Sequence, residues 1–266
     1  MARSALLNVM VAAALKAGRG LARDFGEVEN LQVSLKGPGN FVSAADHKAE
    51  ETLIHELRKA RPGYEFLTEE SGAIAGTDHT NRWIIDPLDG TTNFLHGIPL
   101  FAVSIALERE GVLVAGVIYN PILNELYVAE RGQSAFLNDR RLRVAARKKL
   151  ADAVVATGLP SISGNRDSEP VLAEVRNVGA EVAGLRRTGS AAMDLACVAS
   201  GRLDGYWDRG LSYWDTAGGI VIVREAGGLV SAPDGSPDMA KTDAIVAGNE
   251  TIHAALIASL KAAARG

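Results

Sequence analysis

The sequence predicts an α+β protein with an antiparallel sheet in its first half and alternating strands and helices in its second half. Three observations lead to this prediction. The 266 residues are 47% hydrophobic and 23% charged, which is the balance of an average globular domain. Short apolar runs separated by turn signals fill residues 64–137. After residue 150, strand-like and helix-like patterns alternate. The same composition excludes a collagen-like, disordered or disulfide-stapled chain.

The first half opens with two predicted helices. Apolar residues at helical spacing predict a helix over residues 5–23, and a loop over 36–40 follows. A second helix covers 45–61 and ends at Pro62-Gly63. The predicted strands then cover residues 64–68, 83–86, 101–109, 112–119, 125–129 and 134–137.

The second half is predicted to begin near Leu150, so that the chain divides into residues 1–149 and 150–266. The stretch before that boundary, 140–149, is polar and basic, and no flexible linker marks it. The halves are therefore expected to share a rigid interface. The basic stretch is interpreted as solvated surface, with an RNA or protein contact as the alternative. The predicted strands cover 153–157, 181–187, 203–207, 229–231 and 244–247, and the predicted helices cover 168–177, 191–200, 215–226 and 251–264.

Charge and cysteine content limit the classes of partner and compartment. Lys and Arg number 28 against 32 Asp and Glu, a net charge of −4, which argues against nucleic-acid binding through bulk charge. Cys197 has no partner for an intrachain disulfide and lies among apolar residues, so we expect a small core residue. Asn8 interrupts the faint resemblance of the N-terminus to a signal peptide, and no run reaches the ~18–20 apolar residues of a membrane span. A cytoplasmic protein without a membrane segment is expected.

The most informative segment for function is residues 83–94. An apolar strand delivers Asp86, Pro87 is expected to end the strand, and Asp89 follows three residues later. Gly90 permits a tight turn, and Thr91 or Thr92 suits the N-cap of a short helix. Two carboxylates at this spacing can hold a hard cation such as Mg²⁺, and free backbone N–H groups beside them suit a phosphate. The alternative is an Asx-type turn with two solvated aspartates.

Two further acidic signals flank this segment. Glu69-Glu70 follows directly after a predicted strand, and Asp215 stands at the start of an apolar helix. Taken alone, the first is a solvated pair in a loop and the second is a plain N-cap. The five histidines form no pair at metal-ligand spacing, so a zinc site is not expected.

Together these segments resemble the motifs of the inositol monophosphatase family, in the same order and over essentially the whole chain. The match consists of Glu69-Glu70, the run Asp86-Pro87-Leu88-Asp89-Gly90-Thr91-Thr92-Asn93-Phe94, and Trp214-Asp215 followed by Ala217-Gly218. The sequence is most similar to the bacterial extragenic-suppressor branch of that family. The resemblance implies a layered α-β-α-β-α sandwich of the sugar-phosphatase type. It also implies a Mg²⁺-dependent, lithium-sensitive phosphomonoesterase that forms a homodimer.

The resemblance also implies a role for individual residues. Glu69, Asp86 and the carbonyl of Leu88 would hold a first Mg²⁺, and Asp86, Asp89 and Asp215 a second, while Glu69 and waters would hold a third, weaker ion. Asp46 would work with Thr91 to orient and deprotonate the attacking water, and the N–H groups of Gly90 and Thr91 would hold the phosphate. Gly189, Ser190 and Ala191 match the loop that faces the inositol hydroxyls. Asp208 stands where inositol-specific members place a glutamate, and this departure bears on the substrate.

Several functions fit this chemistry. Hydrolysis of myo-inositol monophosphate and related small polyol phosphates leads, and Thr92-Asn93-Phe94 favours it over members that place Lys after Asp-Gly-Thr. A nucleotide 3′-phosphatase, a fructose-bisphosphatase or a histidinol phosphatase would use the same carboxylates. A phosphoaspartate mechanism needs aspartates separated by one residue, whereas two residues separate Asp86 and Asp89. A protein of another class, a regulatory partner of the transcription machinery with secondary or vestigial phosphatase activity, is the remaining alternative.

Overall fold

The computed structural model describes residues 3–27, 33–37, 40–159 and 169–264. Within these ranges it has seven α-helices and two large β-sheets, which are the layers of the predicted α+β fold. The helices are α1 (Ala5–Phe25), α2 (Ala44–Ala60), α3 (Thr91–Leu95), α4 (Glu169–Glu181), α5 (Ala191–Ala199), α6 (Tyr213–Glu225) and α7 (Glu250–Ala263). The strands are β1 (Val33–Gly37), β2 (Asn40–Ser43), β3 (Tyr64–Thr68), β4 (Gly72–Ile74), β5 (Asp78–Asp89), β6 (Ala102–Arg109), β7 (Val112–Asn120), β8 (Glu125–Glu130), β9 (Ala135–Leu137), β10 (Arg140–Arg141), β11 (Val154–Thr157), β12 (Gly184–Arg186), β13 (Gly205–Arg209), β14 (Leu229–Ser231) and β15 (Ala244–Gly248).

The larger sheet has eight strands in the order β10-β9-β8-β7-β6-β5-β3-β4. Its pairs are antiparallel except for β3 and β5, which run parallel, so the sheet is mixed at this place and not purely antiparallel as predicted. Helices α1 and α2 cover one face, where Leu7, Met10 and Leu53 pack against strand residues such as Trp83. This apolar layer fixes α2 beside the ends of β3 and β5.

The smaller sheet has five strands in the order β12-β11-β13-β15-β14. Strand β11 runs parallel to β12 and β13, and the other pairs are antiparallel. Helices α4 and α7 pack on its outer face. Helices α5 and α6 lie between the two sheets, in a core that includes Ile118 of one sheet and Tyr206 of the other. The layer order is therefore α-β-α-β-α.

Helix α6 approaches the larger sheet backbone to backbone. A β-carbon on Gly116 of β7 would collide with the carbonyl oxygen of Gly218 in α6, and one on Gly218 would lie 2.7 Å from the Ser104 hydroxyl of β6. Only glycine allows so close an approach. A helix from the second half of the chain is thus seated on the sheet of the first half.

Several predicted element boundaries were wrong. Strand β5 continues through Pro87, because the pairing with β6 shifts register between Asp86 and Asp89 and the bulge needs no N–H from proline. The N-cap of α3 is Gly90 and not Thr91 or Thr92. Residue 181 ends α4 instead of starting a strand, and the loop predicted over 36–40 falls on the hairpin of β1 and β2. Residues 38–39 of the predicted loop lie outside the described residues, and so does residue 168, the predicted start of the helix that became α4.

Helix α1 is the one helix in the described ranges that is long and apolar enough to cross a membrane, although no such segment was expected. Its apolar face, including Leu7, Met10 and Leu21, is buried in the core beside α2. This packing is that of a core helix. Cys197 packs against the core between the sheets, as predicted, and burial raises the pKa of its thiol to about 11.

Candidate active site

One cleft of about 300 Å³ gathers the predicted site residues. It lies where β5 ends, and both halves of the chain contribute to its walls. The predicted residues that line it are Glu69, Asp86, Leu88, Asp89, Gly90, Thr91, Gly189, Ser190, Ala191, Asp208 and Asp215. Asp46 does not line the cleft, but it reaches it through a hydrogen bond to Thr91.

The turn from β5 into α3 sets the positions of the central aspartates. Asp86 is buried, and its Oδ1 accepts the Leu88 N–H at 2.9 Å, which closes the bulge. Gly90 has φ +95°, and a β-carbon there would lie 3.0 Å from the Leu100 carbonyl oxygen. A glycine is therefore required for the chain to leave the strand and begin α3 at this point.

Thr91 and Asp46 form a pair at the edge of the cleft. Thr91 Oγ1 lies 3.0 Å from Asp46 Oδ1 and 3.1 Å from the carbonyl oxygen of Leu88. The other oxygen of Asp46 accepts the N–H of Ser43 at 2.8 Å and its hydroxyl at 2.6 Å, in the capping box of α2. Asp46 is fully buried, so its carboxylate is held rigidly. Thr91 can pass a proton from the cleft to a fixed acceptor.

Glu69 is placed by the backbone on both sides of it. Its N–H donates to the Ile85 carbonyl of β5 at 3.2 Å. The next N–H, of Glu70, donates to Glu50 Oε2 at 2.9 Å, and the Ser71 hydroxyl donates to Glu50 Oε1. Glu50 is buried on α2, four residues after Asp46. Sequence reasoning missed Glu50, and the i, i+4 spacing of two acids on one helix was the available signal.

The second half of the chain supplies hydrogen-bond donors to Asp89, and it carries Asp215. Asp89 Oδ2 accepts the Ser190 hydroxyl and, at 2.7 Å, the Ala192 N–H at the start of α5. Asp215 Oδ2 accepts the Ser212 N–H at 2.7 Å in the capping box of α6. Asp215 therefore belongs to the capping box of α6 and also lines the cleft, two roles that the sequence analysis treated as alternatives.

The loop before α5 is anchored from the first half. The Asn93 side-chain amide donates to the Leu100 carbonyl at 2.6 Å and to the Thr188 carbonyl at 2.8 Å. Gly189 follows with φ +86°, and a β-carbon there would lie 3.1 Å from the Asn93 amide. The loop 188–191 is thus fixed against α3 before any ligand binds.

The electrostatics of the cleft favour a bound cation. Burial raises the pKa of Asp86 well above its usual range, and Glu69 and then Asp89 raise it further. Burial raises the pKa of Asp89 to about 6 against the hydrogen bond from Ser190, and burial with the neighbouring Asp89 raises the pKa of Asp215 to about 8. Each shift means that the negative form is disfavoured in the metal-free site.

The donor set fits hard divalent cations. The side chains are all carboxylates, and the Leu88 carbonyl adds a further oxygen, which are the ligands that Mg²⁺ prefers. In the part of the chain that the structure describes, no three acidic, histidine or cysteine side chains are already close enough to form a metal cluster. The fit therefore rests on charge and donor chemistry.

The far end of the cleft is lined by Asp208 and its neighbours. Asp208 Oδ2 accepts the Tyr206 hydroxyl at 2.7 Å, and Oδ1 accepts the Arg209 N–H at 2.7 Å. Gly158 lies against this carboxylate, since a β-carbon there would collide with it. The Arg209 guanidinium is paired in turn with the buried Glu174 of α4, at 2.6 Å. Asp208 is thus held in one orientation.

The cleft lining also includes charged residues outside the predicted site. Arg187 and Asp194 both line the cleft. Asp194 is an acid inside the apolar run Ala191–Ala199 of α5, and that contrast was the signal for it. For Arg187 the sequence allows a solvated charge at a strand end or a contact with substrate or a second subunit; its side chain is exposed and belongs to the cleft lining.

Comparisons with known proteins identify the family of the chain and solved structures of the same fold. A family model described as the inositol monophosphatase family matches residues 2–265. An inositol-1-monophosphatase from Mesorhizobium japonicum is 65% identical over 261 residues, which is 98% of this chain and 98% of that protein. The Nus factor SuhB of Escherichia coli is 43% identical over 256 residues, 96% of each chain. The solved structure of extragenic suppressor protein suhB from Bartonella henselae has a TM-score of 0.94 and 60% identity, and covers 97% of this chain and 99% of that one.

Proposed function

Because the chain belongs to the inositol monophosphatase family and is a phosphomonoester hydrolase, we propose that it hydrolyses myo-inositol monophosphate and related small polyol phosphates with Mg²⁺. The products are the polyol and inorganic phosphate. One observation carries the proposal: four carboxylates line the same cleft as the Gly90–Thr91 turn, and a buried Asp46 is bonded to Thr91 at its edge.

The residues of the chain divide the reaction between them. The N–H groups of Gly90 and Thr91 hold the phosphate, and the loop 189–191 with Asp208 faces the polyol. A water attacks phosphorus and gives its proton to Thr91 Oγ1, while the Thr91 proton passes to Asp46 Oδ1, 3.0 Å away. The phosphorus–oxygen bond to the polyol breaks as the new bond forms, so no phosphoenzyme is required. The leaving alkoxide takes a proton from solvent, and Asp46 afterwards releases its proton to solvent.

In this proposal two or three Mg²⁺ ions would be held by the carboxylates of Glu69, Asp86, Asp89 and Asp215 and by the Leu88 carbonyl. The family is generally metal-dependent, and the raised pKa values of three of these carboxyl groups support a site that cations would neutralise. Bound divalent cations lower the pKa of the attacking water and neutralise the leaving alkoxide.

A phosphate-release assay tests the proposal. Inositol 1-phosphate, glycerol 2-phosphate, fructose 1,6-bisphosphate, histidinol phosphate and 3′-phosphoadenosine phosphate are compared with Mg²⁺ and with EDTA. We expect Mg²⁺-dependent turnover of inositol 1-phosphate and, because Asp208 is shorter than the glutamate of inositol-specific members, comparable kcat/KM for glycerol 2-phosphate. Undiminished turnover in EDTA would contradict the proposed role of Mg²⁺. If the enzyme preferred the nucleotide, fructose or histidinol phosphate, that ester and not inositol 1-phosphate would be its substrate.

Lithium sensitivity, a homodimer and a cytoplasmic location complete the proposal, on the strength of the family resemblance. Inhibition by lithium salts against a sodium control and sedimentation of the purified protein test the first two. Fractionation of cells that carry the tagged chain tests the third.

A second candidate function is a contact with the transcription machinery. The observation that favours it is the relative named Nus factor SuhB, at 43% identity over nearly the whole chain. A pull-down with RNA polymerase and elongation factors, using wild type and Asp89→Asn, separates the two functions. Equal capture of both proteins supports a binding role independent of hydrolysis, and capture of neither excludes it.

A further inference from the structure

Asp194 is a buried acid in the lining of the cleft. Only 2% of its surface is exposed, yet it belongs to the cleft lining. Its Oδ1 atom is buried and accepts no hydrogen bond from the described residues. Leaving a buried polar atom without a partner costs free energy, so such an atom in a ligand cleft needs an explanation.

Helix α5 does not need this carboxylate. Its N-cap is Ser190, whose hydroxyl oxygen accepts the Met193 N–H at 3.2 Å. The other residues of α5 are apolar or small and pack between the two sheets. An apolar side chain at position 194 would continue that core, whereas the acid interrupts it.

Asp194 shares the cleft lining with Asp89 and Asp208. Burial raises the pKa of Asp194 to about 8, the Thr188 hydroxyl opposes this shift, and the charges of Asp89 and Asp208 both add to it. Asp89 belongs to the metal-binding end and Asp208 to the polyol end. Arg187 at the rim acts in the opposite direction on both Asp194 and Asp208.

A substrate with hydroxyl groups would supply what Asp194 lacks. A polyol hydroxyl is a neutral donor and acceptor, so it satisfies the orphaned oxygen in either protonation state of the carboxyl group. Asp208 already accepts hydrogen bonds on both of its oxygens from Tyr206 and Arg209. Asp194, unlike Asp208, therefore has a carboxyl oxygen that accepts no hydrogen bond from the described residues.

We propose that Asp194 is a specificity-determining residue whose free carboxyl oxygen binds a hydroxyl group of the polyol part of the substrate. This inference rests on the proposed function. It predicts that Asp194 distinguishes phosphate esters of polyols from phosphate esters without hydroxyl groups. It assigns no part in phosphorus–oxygen cleavage to this residue.

The test compares wild type, Asp194→Ala, Asp194→Asn and a control, Asp204→Asn. Asp204 is equally buried but accepts from the Val154 N–H and Arg147, away from the cleft. KM and kcat are measured for inositol 1-phosphate and for p-nitrophenyl phosphate, which has no hydroxyl group on its leaving group. For Asp194→Ala we expect the KM for inositol 1-phosphate to rise about tenfold. Both kcat values and the KM for p-nitrophenyl phosphate should stay within about twofold, and the control should leave the KM ratio unchanged.

Urea unfolding separates this role from a structural one. Asp194→Asn keeps the shape and removes the cost of ionising a buried carboxyl group, so its unfolding midpoint without substrate should equal or exceed that of wild type. An unchanged KM ratio, or a lowered midpoint with equal losses on both substrates, would overturn the inference. If wild type cleaves neither ester, the proposed function fails instead, and calorimetric binding of myo-inositol to wild type and Asp194→Ala decides the inference without turnover: equal affinities overturn it.

Discussion

Thr91 lines the cleft and connects it to the buried Asp46 by a hydrogen bond. Its hydroxyl lies within hydrogen-bond distance of both Asp46 and the Leu88 carbonyl, and Asp46 is held by Ser43 from the other side. A relay needs only the hydroxyl, while the shape of the side chain serves packing. These two contributions can be separated by substitution.

Thr91→Val keeps the shape of the side chain and removes the hydroxyl. We expect kcat to fall by about 10²- to 10⁴-fold with little change in KM, because proton transfer is lost while the backbone N–H groups remain. Thr91→Ser restores the hydroxyl and should recover most of the activity. Steady-state kinetics of the two variants is the measurement, and equal loss in both would show that packing and not the hydroxyl matters.

At the scale of elements, α2 connects two edges of the cleft. Asp46 near its start is bonded to Thr91, and Glu50 one turn later is bonded to the backbone and side chain that follow Glu69. Both acids are buried. The helix therefore sets the distance between the turn that carries Thr91 and the turn that carries Glu69.

Glu50→Ala should loosen the Glu69 turn and weaken Mg²⁺ binding by about 10- to 100-fold, since partners of metal ligands have effects of this size. High Mg²⁺ should restore kcat, and KM at saturating Mg²⁺ should be unchanged. The matched control is Glu51→Ala, because Glu51 is an exposed neighbour on the same helix. The measurements are the Mg²⁺ concentration for half-maximal rate and the rise in Tm with Mg²⁺. The role assigned to Glu50 is wrong if both variants behave as wild type.

The sequence predicted the elements that carry the site better than the turns between them. Period and turn residues identified the helices that became α1, α2, α5, α6 and α7, and the motif residues 86–94 were expected together. The bulge at Pro87 and the parallel pairing of β3 with β5 were missed, because both depend on neighbouring strands that local patterns do not reveal. Glu50 and Asp194 were missed, and the place of Arg187 was left open, for a similar reason: their role appears only when distant segments meet at the cleft.

At the scale of the whole molecule, the acidic cleft makes the stability of the metal-free protein depend on pH. Burial and neighbouring charges raise the pKa of Asp89 to about 6 and of Asp215 to about 8 in the folded state. The folded protein then binds more protons than the unfolded chain between about pH 4 and pH 8. The contribution of these groups is fully present below pH 4 and is lost as the pH rises through the folded values.

In EDTA, we therefore expect the free energy of unfolding of wild type to fall between pH 5 and pH 8. In Asp215→Asn it should fall by less, because one of the groups with a raised pKa is absent. Mg²⁺ should raise the stability of wild type most at pH 8, where the carboxylates are least compensated. Urea unfolding of both proteins at pH 5, 6, 7 and 8, with EDTA and with Mg²⁺, is the measurement. Identical pH profiles in EDTA would contradict the folded-state pKa assigned to Asp215.

The contact between Gly116 and Gly218 should leave these two positions little freedom to change. Helix α6 carries Asp215 three residues before Gly218, and the glycines let it lie directly on β7. A methyl group at either position would lift the helix and carry Asp215 away from Asp86 and Asp89. Residues that contact the polyol can be replaced when related proteins evolve toward other substrates. These two glycines touch no substrate, yet they should be as resistant to replacement as the aspartates themselves.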